Sequence, residues 1–440
     1  MADTYLQRTF TAGDRKTWTM AFWVKRGKNA ESCCWSVLNS SDFLIHRFEA
    51  DDDLDLYEHA GGTTMRWTTK QKCRDYNGWY HIVVKVDTTQ STEADRFRMY
   101  VNGVETESAT PTYYVQDQNT QVGFVGGIMR IGTDQELSND MEGAMAQFVY
   151  ADGAAYAPTT FGSFDSTTGE WKPKSDGEIR SAVTFGTNGC LLPFSNASYP
   201  GYDYQTSDRS GTTNDYTFNG SGFQCKSNPS NNFAVLDHNN YSNSADISKN
   251  MCRLNTASNG WFGACSTMGF KKGFACYFET KLTAGSKQFI GVSRTNGSGQ
   301  TGDPMSNETE GTSGFDYMVR TTADDTVFLE GTNLSGTFSQ ATTGDIVAMS
   351  VSAAGEVKIY KNDTLQYTWS TALSEGFTYF PIVSVNGASV EQGVDVNYGE
   401  GYFGTTAVSS ANADPNGIGA FEYTTKSCYA LCTKNLKANS

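Results

Sequence analysis

Three carboxylates fall within one short run, Asp53-Leu54-Asp55-Leu56-Tyr57-Glu58. Two carboxyls on one β surface are the minimum equipment for glycoside hydrolysis, and a retaining mechanism needs them converging at about 5 Å. Alternation along a strand puts Asp53 and Asp55 on one face and Glu58 on the other, unless a bulge intervenes. The run follows Asp51-Asp52 directly, so it is expected to be a solvated acidic edge; hydrolysis would have to use Asp55 with Glu58.

Four histidines, His46, His59, His81 and His238, are scattered singly through the chain. That spacing argues against a histidine-based metal centre. His81 sits between Tyr80 and Ile82 in an apolar run with no serine or cysteine nucleophile signature nearby, and is expected to be a hydrogen-bonded structural histidine. Asp134, Asp140 and Glu142 offer oxygen ligands in a plausible rim loop, but there is no twelve-residue calcium loop, and Asp is common in turns for backbone reasons. No metal and no cofactor are assigned. Sugar binding would want aromatic rings beside amides and carboxylates. Tyr113 and Tyr114 with Gln116 and Asp117 form one candidate surface, and the loop bearing Asp303 and Asp316 forms another.

The elements that must position these groups are strands. Trp79–Asp87 and Arg96–Val104 are β-rich runs of branched and aromatic residues, and Asn102-Gly103 tolerates the positive φ angles of a tight hairpin turn. Thr17–Arg26 reads as a core strand. Short strands follow at 35–38, 43–48, 54–57 and 63–67, then at Val122–Ile131 and 143–150, each bounded by turn residues. One helical turn is expected near Pro158. Residues 165–250 are turn-rich yet aromatic, and are expected to form an ordered, irregular strap. Further strands recur at 272–280, 288–293, 345–351, 356–363 and 380–385. The fold class is therefore all-β: two β-sandwich (jelly-roll) domains over 1–164 and 251–405, with a docking tail over 406–440.

Composition agrees. Hydrophobic residues make up 38%, with 44 Gly, 23 Tyr and 26 Phe. Lys and Arg total 33 against 48 Asp and Glu, a formal charge of 33 − 48 = −15. So negative a surface repels a phosphate backbone, and no nucleic-acid partner is expected. The ten cysteines have no metal-ligand rhythm and read mostly as buried thiols. No apolar run of about 18 residues is present, so membrane insertion is not expected. The start Met1-Ala2-Asp3-Thr4-Tyr5 does not read as a secretory signal, so synthesis in a cytoplasm is expected.

The order Phe22-Trp23-Val24-Lys25, Gly78-Trp79-Tyr80-His81, Tyr100-Val101-Asn102-Gly103 and Met141-Glu142-Gly143-Ala144-Met145-Ala146 resembles the laminin G-like branch of the concanavalin A-like jelly rolls. In particular it resembles the version in tail fibres and other virion appendages of marine bacteriophages. Blocks similar to that group's following segments occur at 164–174, 185–189 and 208–216, so the likeness spans roughly 1 to 220. The order of strands over 250–405 resembles the SPRY β-sandwich, and the tail looks like the end of the same phage proteins. Concanavalin A-like glycosidases open their acidic strand with Glu, where this chain has Asp53.

The resemblance implies a non-enzymatic virion structural protein, a tail or capsid fibre or appendage. It would contact other virion proteins, form a homo-oligomer (a trimer, as in many fibres) and bind a host surface glycan or receptor. A capsid decoration protein without a host ligand and a polysaccharide hydrolase are the competing readings.

Overall fold

In this computed structural model the described residues are 4–28, 30–210, 213–241, 246–294, 317–322, 326–330, 332–334, 336–387 and 390–439. The chain divides into two units, Met1–Gln224 and Cys225–Ser440.

Unit 1 is organised around Thr17–Arg26, whose apolar residues face both ways. Trp18, Met20, Phe22 and Val24 enter the core between two sheets, while Ala21 joins a second cluster on the other face. A strand buried on both faces reads as a continuous apolar run. Among the described residues, its six-stranded sheet runs Cys190–Leu192, Gly143–Asp152, Thr17–Arg26, Tyr80–Asp87, Phe97–Val101, Val104–Glu105. The opposing sheet, seven-stranded among the described residues, runs Thr217–Asn219, Tyr5–Thr9, Ile128–Ile131, Ser32–Asn39, Asp42–Phe48, Asp53–His59, Thr63–Lys72. The pairings are antiparallel. Asn102 and Gly103 adopt φ of 49° and 78°, the turn expected between Phe97–Val101 and Val104–Glu105. Of the strand expected over Val122–Ile131 only Ile128–Ile131 forms, because Gly123 and Gly126 take positive φ and bend the chain.

A third layer covers the six-stranded sheet. Phe161, Ile179, Val183 and Phe185 pack on Ala21, Val83, Val149 and Ala151. Part of this cover is the helix Asp176–Ala182, absent from the sequence reading; its start is fixed by a capping box in which Ser175 and Glu178 satisfy each other's backbone N–H. Residues 165–224 thus lie in unit 1 and 225–250 in unit 2.

Unit 2 repeats the plan. One sheet includes Leu236–Tyr241, Trp261–Ser266, Thr378–Asn386, Gln288–Arg294, Tyr317–Arg320, Thr326–Leu329 and Thr332–Leu334, with Phe270–Lys271 beside Thr378–Asn386. Proline cannot donate to a ladder. Pro381 sits where it need not: on one side the neighbouring strand pairs only from Cys265↔Ile382, and Phe270 takes over at Tyr379. The second sheet runs Asp246–Ser248, Arg253–Thr256, Gln392–Asn397, Cys276–Ala284, Ile346–Val351, Val357–Lys361, Thr364–Thr368. Phe233, Phe421, Cys428, Ala430 and Cys432 cover its Tyr277, Ala348 and Tyr360, together with Ala275 just before the strand Cys276–Ala284. Backbone bonds from Tyr429 N–H to the Ala275 carbonyl (2.8 Å) and from Tyr277 N–H to the Tyr429 carbonyl (3.0 Å) stitch the tail down.

Candidate functional site

The acidic strand Asp53–His59 lies between Asp42–Phe48 and Thr63–Lys72, which decides what its carboxylates meet. Asp55 is fully buried and accepts from Arg66 Nε (3.1 Å), Arg66 Nη2 (3.3 Å) and Thr68 Oγ1 (2.7 Å), with Arg47 Nη2 at 3.5 Å. Glu58 is also fully buried, and its partners are different: the Tyr114 hydroxyl donates to it at 3.0 Å, Gln121 N–H at 3.2 Å and Thr64 Oγ1 at 3.2 Å. Burial pushes the Glu58 carboxyl up to about 7, opposed by these hydrogen bonds and by the charge of Arg15. In place of the expected solvated acidic edge there is an interior strand with both carboxylates buried, and the two are held by separate sets of groups.

Tyr114 is part of the core, so its ring offers no face to a ligand. Its neighbour Tyr113 is half-buried with its edge against Trp67, ring centroids 5.7 Å apart. Gln116 and Asp117 are exposed, with Asp117 at φ 63° paired to Lys16 at 3.0 Å and the Gln116 amide donating to the Thr89 carbonyl at 3.4 Å. Three of these four residues therefore share a surface loop and the fourth anchors it from below. Asp303 and Asp316 lie outside the described residues.

Asp134 accepts from Glu136 N–H, Ser138 N–H and Oγ, and Asn139 Nδ2, all at 2.7–2.9 Å, so its carboxylate is spent on folding its own loop. Among the described residues no group of three or more His, Cys, Asp or Glu is placed to hold a metal. Nine of the ten cysteines are buried.

His81 Nδ1 accepts from Trp171 Nε1 at 3.0 Å, and its ring lies against Trp23 and Trp171 with centroids 4.7 and 5.9 Å apart. Trp171 in turn rests on the hairpin turn: a Cβ added to Gly103 would meet its ring at 2.5 Å, so only glycine fits there. His46 is buried between the sheets, stacked on Trp35 at 5.7 Å, and neither ring nitrogen has a hydrogen-bond partner. Sequence reading weighed His46 only as an isolated histidine and gave Trp171 no role, since the contacts that define them lie 90 residues away for Trp171 and between the sheets for His46.

Burial lowers both His46 and His81 from 6.5 to about 3. Below pH 6.5 the unfolded imidazoles take up protons that the folded ones refuse, so each histidine withdraws stability as pH falls from 6.5 toward 3. The slope is about 1.4 kcal/mol per pH unit for each. Glu58 acts with the opposite sign between about 7 and 4.5, because its folded carboxyl binds a proton first. His46→Leu removes one imidazole without breaking a side-chain hydrogen bond. Its unfolding free energy by urea titration should gain on the parent by about 1.4 kcal/mol for each unit below pH 6.5; parallel pH profiles would refute the assignment.

Residues 2–157 match the family model described as the concanavalin A-like lectin/glucanases superfamily, of laminin G type. No curated protein matches the chain. Among solved structures the chain is similar to the SPRY domain of human HERC1 (16% identity, 37% of this chain and 96% of that one, TM-score 0.30). It is also similar to a SAP-like pentraxin from Limulus polyphemus (15%, 36% and 72%, 0.28) and to the Emp46p carbohydrate recognition domain (11%, 37% and 87%, 0.26).

Proposed function

We propose that this chain is a structural protein of a phage virion, a tail or capsid fibre or appendage, that binds a glycan or receptor on the host surface. The observation that carries the glycan part is the match of residues 2–157 to a superfamily of lectins and glucanases. The virion part, with its homo-oligomeric, trimeric assembly and its virion partners, draws on the resemblance of residues 1 to 220 to marine phage appendage proteins. Antibody labelling of intact virions viewed by electron microscopy tests it. Label at the tail periphery supports host attachment, label over the head favours a head-fibre or decoration role, and unlabelled virions overturn the virion reading.

Within this proposal the chain is not a hydrolase. Asp55 is matched to Arg47 and Arg66 and Glu58 to Tyr114, which supports structural roles for both carboxylates. Asp55→Asn is expected to cost unit 1 about 1–3 kcal/mol, because it weakens bonds to two guanidiniums in a buried place. It should change nothing in a reducing-sugar assay on laminarin. Sugar released by the parent and not by this variant would reverse the reading.

A further inference from the structure

Three tyrosines flank a Pro-Gly turn in Tyr199-Pro200-Gly201-Tyr202-Asp203-Tyr204, outside the stretch matched by the family model. Two of them form a ladder with an arginine. The Tyr199 and Tyr202 rings are parallel, 4.7 Å apart with an interplanar angle of 4°. The Arg209 guanidinium lies 3.8 Å from the Tyr202 ring centre and 5.5 Å from that of Tyr204. Tyr199 ends the ladder and is 57% exposed. One of its faces is on Tyr202, which leaves the other to solvent.

The ladder is built on a rigid base. Asn196 Oδ1 accepts from Ser198 N–H (3.0 Å) and Tyr199 N–H (3.2 Å), fixing the turn that presents the ring. Gly201 lies so close to the neighbouring chain that an added Cβ would meet the Tyr216 carbonyl oxygen at 2.0 Å. Buried Asp203 accepts from Leu191 N–H (2.9 Å) and Asn214 N–H (2.8 Å), and the Tyr204 N–H donates to the Leu191 carbonyl at 2.8 Å. The backbone that presents the exposed ring is thus already ordered, so a ligand need not supply that part of the ordering cost.

Charge selects among the molecules that stack on aromatic rings. Arg209 is paired with Asp215 through bonds of 3.1 and 2.7 Å, so the guanidinium has no unmatched charge to draw an anion, and exposed Asp208 on the same loop repels one. A cation is disfavoured by the guanidinium already drawing on the Tyr202 π system. A nucleic acid is disfavoured by a chain at −15. What remains is a neutral ring with an apolar C–H face and hydroxyls at its rim, and the same loop carries Ser198, Ser207 and Asp208 exposed.

We propose that the Tyr199–Tyr202–Arg209 ladder is a saccharide subsite, with one neutral pyranose residue stacking on the open face of Tyr199. This rests on the reading of the chain as a glycan binder. The full chain and its Tyr199→Ala and Tyr199→Trp variants should be applied to an array of immobilised bacterial and algal glycans, neutral and anionic, with circular dichroism as the folding check. Binding of neutral glycans by the parent, weakened about tenfold in Tyr199→Ala and retained in Tyr199→Trp, supports the subsite. Equal binding by parent and Tyr199→Ala overturns the subsite and leaves the glycan reading standing. Binding of anionic glycans alone overturns the neutral class, and a parent that binds no glycan removes both the reading and the subsite.

Discussion

Glu279→Ala is expected to destabilise unit 2 by about 1–3 kcal/mol for each buried donor it leaves unpaired and to release its C-terminal cover. Glu279 is fully buried in the strand Cys276–Ala284 and accepts from Glu422 N–H (2.9 Å), Tyr423 N–H (2.8 Å), the Tyr277 hydroxyl (3.1 Å) and Asn397 Nδ2 (3.3 Å). Alanine would orphan two backbone donors of the tail and two side-chain donors in one step, each without water to replace the lost acceptor. Burial raises the carboxyl to about 7, offset by the same four bonds. Its folded value lies above its ordinary 4.5, so protonation favours the folded state, and this group's contribution grows as pH falls from 7 to 4.5 and then levels. Guanidinium unfolding of the full chain measures the loss. Limited proteolysis should find new cleavage between 412 and 432 in the variant, and a tail as resistant as the parent's would show that Glu279 does not pin it.

Trp171→Ala should cost unit 1 about 3–5 kcal/mol. The indole is 7% exposed and fills the space above the Asn102-Gly103 turn and Gly162, with Phe164 edge-on at 4.8 Å. Removing it empties that volume and deprives His81 of its donor. Water entering the cavity would relieve the desolvation that holds His81 near 3, so its imidazole, followed by NMR, should titrate closer to 6.5. Trp171→Phe separates the two effects: most of the volume stays while the Nε1–H is lost, at a cost of about 1 kcal/mol. An unmoved His81 titration in Trp171→Ala would mean that other groups keep the imidazole dry.

The strands were legible because their periodicity is local. Thr17–Arg26 has the bounds its sequence suggested, and Asn102-Gly103 turns where expected, both residues with positive φ. The residues meant to meet a ligand were harder to read. Tyr113 and Tyr114 are adjacent and chemically identical, yet one lies half-buried at the surface and the other donates to a carboxylate 56 positions earlier. Nothing local distinguishes them, because the deciding partner is brought in by sheet pairing. The helix Asp176–Ala182 did carry a local signal, Ser175 three residues before Glu178. It was obscured by its length of seven residues and by Gly177, a poor helix former. The tyrosines at 199, 202 and 204 read as packing residues of a strap, since sequence alone does not say which ring of a stack ends in solvent.

The covering layers change what can be exchanged as a module. The lectin-like match ends at 157, but the outer face of the sheet it contains is shielded by Phe161, Ile179, Val183 and Phe185. Gly143–Asp152 and Tyr5–Thr9 also take their outermost partners from Cys190–Leu192 and Thr217–Asn219. A graft cut after 157 would carry a bare apolar face and two newly unpaired edges into its recipient, both of which invite aggregation. The portable cassette is the whole of Met1–Gln224, roughly half as long again as the recognisable motif, and its last third is the part that covers the apolar face and pairs the strand edges of the first two-thirds.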